Sequence, residues 1–181
     1  MPRITPVDPA AAESGVKATL AAVQAKIGMV PNLFKTFARS PAVLNAYLGL
    51  SDALAAGVLS TRQREVVALA VAQANGCEYC LSAHTMMGKG AGLSADAMAA
   101  ARSGKGGEAL DHAIASLAHA LVEARGKISD AQLATARLAG LTDAHIVEIV
   151  AAVAFNTLTN FTNNLAHTDI DFPRIDVALA A

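Results

Sequence analysis

The sequence predicts an all-α fold, a single domain over residues 1–181 with about eight helices. Three observations predict it. Helix-start signals and helix-ending glycines alternate along the chain at helical distances. Roughly 40 of the residues are alanine, the strongest helix former and far above the usual globular share. No segment shows the sustained two-residue alternation of β-branched and aromatic side chains that marks a strand.

The elements follow in order. Asp8-Pro9 is an N-cap with proline at the first helical position, opening an alanine-rich helix to about Ile27. Gly28, Pro31 and Asn32 break it. Ser40-Pro41 repeats the start signal for a helix running to Gly57, and Ser60 with Gln63 forms a capping box for the next, Thr61 to about Asn75. Gly76 separates that helix from an amphipathic stretch, Cys77 to about Lys89, closed by Gly90 and Gly92. Ser94 caps a short helix to Arg102, and Gly104 to Gly107 is a flexible link. A helix from Glu108 to Arg125 ends at Gly126. Ser129 and Gln132 make a second capping box, for a helix that stops before Gly140. Thr142 caps the last long helix, to about Asn160. The tail from Asn164 is irregular and a candidate to lie across a neighbouring subunit.

Composition narrows the function classes. Lys and Arg total 14 against 15 Asp and Glu, so there is no electrostatic footprint for nucleic acid or an anionic membrane. A chain 54% apolar and 16% charged is not disordered, and two cysteines cannot build the framework of a small secreted domain. The start, Met1 to Pro6, has two prolines and no apolar run, unlike a secretory signal. The most apolar later stretch, Ile146 to Phe155, is interrupted by Glu148 and falls short of the ~20 residues of a membrane span. A soluble cytoplasmic protein is the expectation. Alanine buries little area per residue, so subunit contacts are expected to supplement the core.

Both cysteines lie in one window, Asn75-Gly76-Cys77-Glu78-Tyr79-Cys80-Leu81-Ser82-Ala83-His84. Residues three apart on a helix have Cβ atoms about 5–6 Å apart, near enough for a disulfide after modest adjustment. Unpaired N–H groups at a helix start favour thiolate, which on that ground alone points to Cys77. His84 sits four residues after Cys80 on the same face. A free thiol with pKa about 8.5 is a few per cent ionised at neutral pH, and a shift of about two units makes thiolate the majority form. Glu65, twelve residues before Cys77 on the preceding helix, is a candidate buried carboxylate folded back beside the pair.

Other readings of the window are weaker. A structural zinc site normally needs four protein ligands, and there is no second Cys-x-x-Cys or His pair, though His112 or His167 could be added to Cys77, Cys80 and His84. Haem attachment needs histidine directly after the second cysteine, where Leu81 stands. Thioredoxin-like chemistry wants a βαβ setting. His112 and His119 share a face and are expected to be packed or interfacial, and His145 to be surface. Asn156, Asn160, Asn163 and Asn164 are expected to be hydrogen bonders at a helix end. Met86 and Met87 are expected in the core.

The run Arg64 to His84, with its Glu65, Cys77-x-x-Cys80 and His84 spacings, resembles the core of the alkylhydroperoxidase D (AhpD)-like family of the carboxymuconolactone decarboxylase superfamily. Gly92-Leu93-Ser94, Phe155-Asn156 and Asp171-Phe172-Pro173 resemble its peroxidase-related branch. The resemblance implies an all-helical fold assembled as homotrimers or homohexamers, with a thiol site reducing hydroperoxides and needing no metal or organic cofactor. By it, Cys80 is the peroxidatic thiol, Cys77 the resolving one, and Glu65 and His84 the proton relay. The reductant implied is a dithiol, a lipoyl group or a small redox protein. One position departs from the pattern: the best-studied branch has a second histidine where this chain has Tyr79, a phenol that donates a hydrogen bond but is no base at neutral pH. Two alternatives remain beside this reading: a lactone decarboxylase-like enzyme with incidental cysteines, and a non-enzymatic metal-binding module. Whether His167 and the tail complete a neighbour's site is open.

Overall fold

Seven consecutive residues, Val66 to Ala72, are all buried, and the helix that carries them is the axis of the fold. A helix apolar on every side must be enclosed on every side. In the computed structural model, which describes residues 1–178, this helix is α4 (Thr61–Ala74), and it packs against α5 (Glu78–Gly90), α6 (Ala95–Arg102), α7 (Ala109–Glu123) and α9 (Asp143–Ala166). The remaining helices are α1 (Ser14–Ile27), α2 (Asn32–Phe37), α3 (Pro41–Ala55) and α8 (Asp130–Leu138). Among the described residues there are nine helices and no strand, eight of the helices being those read from the sequence.

The capping signals are realised. Ser60 Oγ accepts the Gln63 N–H and Gln63 Oε1 accepts the Ser60 N–H, and Ser129 pairs with Gln132 in the same way. His145 occupies the corresponding third position of α9, capping with Thr142.

Three expectations are corrected. The first helix starts at Ser14; Asp8 Oδ1 accepts only the Ala10 N–H of an isolated turn, and the alanines beyond it do not extend that turn into helix. Pro31 and Asn32 do not merely interrupt the chain. Pro31 is the N-cap of the six-residue α2, whose first N–H, that of Asn32, is taken by Asp171 Oδ2 at 2.7 Å. That acceptor comes from 139 positions away, so no local signal announces α2. The last helix runs past Asn160 to Ala166, because its asparagines bond to the α4–α5 turn instead of to their own helix end: Asn75 Nδ2 donates to Asn160 Oδ1, and Asn164 Nδ2 to Asn75 O.

The described tail lies on its own chain. Ile175 N–H donates to Ser82 Oγ, Arg174 pairs with Glu78, and Arg102 Nη2 donates to the carbonyls of Asp176 and Val177. Phe172 meets the Tyr79 ring edge to face, 5.5 Å between centroids. The tail is thus a wall of its own domain.

α9 has two apolar faces. Ile149, Ala152 and Ala166 turn inward, while Val147, Val150, Leu158, Phe161 and Leu165 are exposed. Contrary to the expectation from Ile146 to Phe155, the helix is long and apolar enough to cross a membrane by length and composition. Its inner face also carries buried Asn156, Thr159, Asn160 and Asn163, a costly set to turn toward lipid.

Two glycines separate backbone strain from propensity. Gly76 has φ +60° and open space where a Cβ would stand, whereas Gly49 lies inside α3 with equally open space. Gly76→Ala is expected to destabilise the chain by about 1–2 kcal/mol, and Gly49→Ala to stabilise it by roughly 0.5–1 kcal/mol, in denaturant melts.

Candidate active site

The α4–α5 turn builds the site. Gly76 N–H donates to Gln73 O and Cys77 N–H to Ala72 O, the paired bonds that close a helix through a left-handed residue, here Gly76. Cys77 is therefore the N-cap of α5, one step before the first turn. Its Sγ accepts the Cys80 N–H at 3.3 Å, in the place a serine oxygen usually takes. The same geometry brings the two sulfurs to 2.6 Å, both thiols free and buried, so a disulfide can form with almost no backbone movement.

One turn along α5, His84 Nδ1 lies 2.8 Å from Glu65 Oε2 of α4, with both side chains largely buried. The structure thus brings together all four residues singled out in the sequence. Burial pushes the His84 pKa down, but the charge and hydrogen bond of Glu65, aided by Cys80, outweigh it and the pKa rises. Burial likewise opposes ionisation of Cys80. The Cys77 thiol donating to its sulfur, the positive His84 and the amides of Asn163 and Asn160 more than offset this, and the Cys80 pKa is lowered to about 6. Cys77 moves the other way, because its S–H donates a hydrogen bond to Cys80, it is buried and it faces a thiolate. The helix start favours ionisation of Cys77, whereas the donors that converge on the second sulfur favour Cys80.

Residues that the sequence placed elsewhere complete the surroundings. Asn163 stands in the last turn of α9, where its carbonyl accepts the N–H groups of His167 and Thr168, and its buried side chain turns inward, with Nδ2 donating to Cys80 Sγ at 3.3 Å. Thr159 Oγ1 lies 3.9 Å from the same sulfur. The available signal was the spacing of Asn156, Asn160 and Asn163 on the face that also carries Ile149 and Ala152, polar groups where the period requires core. Tyr79 does not face the site as a base. Its phenol oxygen accepts the Leu33 N–H at 3.2 Å, and burial, with Asp171 nearby, drives its pKa up.

A pocket of about 260 Å³ opens onto Cys80 and His84. Its other walls include Phe34, Tyr47, Phe172 and Met29. Met86 and Met87 are not core residues: they are 46% and 41% exposed, at this pocket. The other histidines stand apart. His112 Nδ1 accepts the Gly106 N–H, His119 lies 3.4 Å from Glu123, and His167 is the exposed C-cap of α9. Among the described residues, no group of three or more His, Cys, Asp or Glu is arranged to hold a metal.

Residues 41–115 match the family model described as the carboxymuconolactone decarboxylase family. No curated protein is significantly similar to the chain in sequence. Among solved structures, an uncharacterized peroxidase-related protein from Ralstonia eutropha JMP134, described as an alkylhydroperoxidase AhpD core, shares 26% identity at a TM-score of 0.84, over 94% of this chain and 92% of its own. A second uncharacterized peroxidase-related protein, from Silicibacter sp. TM1040, shares 24% identity at TM-score 0.79, over 92% and 91%. The debrominase Bmp8, solved in complex with 2,3,4-tribromopyrrole, has the same fold at 18% identity and TM-score 0.78, over 93% and 91%.

The electrostatics predict a pH profile. Alkylation of Cys80 by iodoacetamide should rise as pH passes about 6 and level off above it, because deprotonation creates the nucleophile. Glu65→Gln removes the charge that keeps His84 protonated, so the midpoint should move up. An unshifted midpoint would show that the Glu65–His84 pair does not govern this sulfur.

Proposed function

Because this chain belongs to the carboxymuconolactone decarboxylase superfamily, with the AhpD-like fold, we propose that it is a thiol-dependent peroxidase that reduces hydroperoxides through Cys80 and Cys77. One observation carries the reading: a sulfur with pKa lowered to about 6 stands on the wall of an open apolar pocket, 2.6 Å from a second thiol.

The Cys80 thiolate attacks the outer peroxide oxygen, the O–O bond breaks, and the departing alkoxide takes the His84 proton to leave as an alcohol. Glu65 holds the imidazole by its Nδ1 throughout. The sulfur is left as a sulfenic acid. Cys77 displaces its hydroxyl, the thiol proton leaves with that hydroxyl as water, and a Cys77–Cys80 disulfide remains. An external dithiol, a lipoyl group or a small redox protein, returns the pair to thiols by exchange. A reducing cytoplasm is the compartment in which such a pair is restored between turnovers. Tyr79 serves by tying α2 and Phe172 to the pocket wall, not by moving a proton.

The pocket favours a second reading. Its aromatic and thioether walls suit a halogenated aromatic as well as an organic hydroperoxide, and the fold neighbour Bmp8 is a debrominase. A panel of hydrogen peroxide, an organic hydroperoxide and a bromopyrrole ranks the two. A lactone decarboxylase-like activity would survive Cys80→Ser.

A second copy of the chain covers the exposed face of α9, in a homotrimer or homohexamer. Val147, Leu158, Phe161 and Leu165 are all exposed and form one apolar stripe, the kind of patch that marks a protein contact. Phe161→Glu combined with Leu165→Glu is expected to reduce the mass measured by light scattering to that of a smaller assembly or a monomer.

Thiol counting tests the main reading. One equivalent of hydroperoxide should consume both thiols of the wild-type chain within the mixing time of a manual assay. Cys80→Ser should show no fast reaction. Unchanged thiols in the wild type would sink the peroxidase reading.

A further inference from the structure

Asn163 touches the reacting sulfur from outside the cysteine motif. Its Nδ2–H donates to Cys80 Sγ at 3.3 Å, and its side chain is 3% exposed. Its own Oδ1 is buried and, among the described residues, has no hydrogen-bond donor. A buried amide oxygen without a partner is rare and unfavourable, so a site that keeps one has a use for it in another state. Of the neighbouring polar groups of α9, only the Asn160 amide also favours the thiolate, and it is ranked after Asn163. Thr159 gives its hydroxyl proton to Asn156 O at 2.7 Å and so offers the sulfur only lone pairs. Asn156 spends its Nδ2–H on Ala152 O.

We propose that Asn163 is a catalytic residue of this site: its Nδ2–H holds the Cys80 thiolate before reaction, and its unpartnered Oδ1 accepts the O–H of the sulfenic acid formed on that sulfur. The change at sulfur demands both functions. A thiolate is acceptor-only and needs a donor. Once it has taken OH from the hydroperoxide, giving its electron pair as the O–O bond breaks and the alkoxide leaves with the His84 proton, it carries an O–H and needs an acceptor. A primary amide supplies one of each across a single planar group. Held in this way, the hydroxyl that Cys77 must displace stays oriented until the disulfide forms. The donor half rests on the geometry alone, and the acceptor half rests also on the hydroperoxide reading.

The titratable groups facing the sulfur are Cys77 and His84, with Glu65 from α4, Tyr47 from α3 and Tyr79 from α5 close behind. None is altered by substitution at position 163, so a change in the Cys80 titration reports on the amide. The first measurement is the pH midpoint of Cys80 alkylation in wild type, Asn163→Leu and Asn156→Ala, each checked for helical content by circular dichroism. Asn163→Leu should raise the midpoint by about one unit, roughly a tenfold loss of thiolate below it. Its rate should rejoin that of the wild type at high pH. Asn156→Ala, which removes a buried amide from the same face but not from the sulfur, should leave the midpoint in place. If Asn163→Leu does not fold, Asn163→Ala, which leaves space instead of a misfit, carries the test. An unshifted midpoint in a folded position-163 variant, or an equal shift in Asn156→Ala, overturns the donor half.

The second measurement uses Cys77→Ser as parent, so that the sulfenic acid persists. After two equivalents of an organic hydroperoxide, one to form the sulfenic acid and one to oxidise it further where it is unprotected, at a pH above both midpoints, a β-diketone probe labels the sulfenic acid that remains. Asn163→Leu in this parent should give severalfold less label, with sulfinic acid in its place. Equal labelling overturns the acceptor half. No sulfenic acid in the parent overturns that half together with the peroxidase reading, and leaves the donor half to the alkylation midpoint.

Discussion

A negative charge on a buried sulfur is the constraint around which this molecule is arranged. Cys80 sits in the hydrophobic core, beside Leu81 and against α4 and α9, where a bare thiolate would be neutralised by taking a proton. It is instead met by a thiol from the N-cap of its own helix, an imidazole one turn later and an amide from the last helix. Each donor comes from a different part of the backbone. The α4–α5 turn, the α5 face and the α9 face must therefore all be in register before the sulfur is reactive. Glu65 acts one step removed, by keeping His84 charged.

The same arrangement divides labour between two chemically identical side chains. Their difference is positional. Cys77 caps the helix with lone pairs toward the Cys80 N–H and its proton toward the Cys80 sulfur, so it remains a thiol and is held ready as the second nucleophile. Cys80, three residues on, collects the donors. A hydrogen bond that raises one pKa and lowers the other separates the roles of the pair more sharply than the helix dipole does.

Access to this charge is governed by segments with no chemistry of their own. α2 contributes Leu33 and Phe34 to the pocket, and the tail contributes Phe172. Asp171 binds the two together by taking the first N–H of α2, while Tyr79 accepts the next one. The phenol that stands in the place of a second histidine is thus a brace between two walls. α9 faces both ways, with polar groups toward the sulfur and an apolar stripe toward the outside. Any assembly that covers the stripe presses on the helix that carries Asn163.

By itself the sequence determined what depends on short-range periodicity and local hydrogen bonds. The capping boxes at Ser60 and Ser129, the glycine turn at Gly76 and the spacing of Cys77, Cys80 and His84 act within a few residues, and they set eight of the helices and the cluster on α5. Glu65 was legible because a tight turn folds one helix back on the next. Only the tertiary structure showed that Cys80 also collects an amide donor from α9, that of Asn163, eighty-three positions away, beside the local donors Cys77 and His84. It also decided that the last helix continues past Asn160, that Pro31 opens one, and that Met86 and Met87 stand at a pocket mouth. In each case a long-range partner, or its absence, outweighed a local preference worth a fraction of a kcal/mol to about 1 kcal/mol.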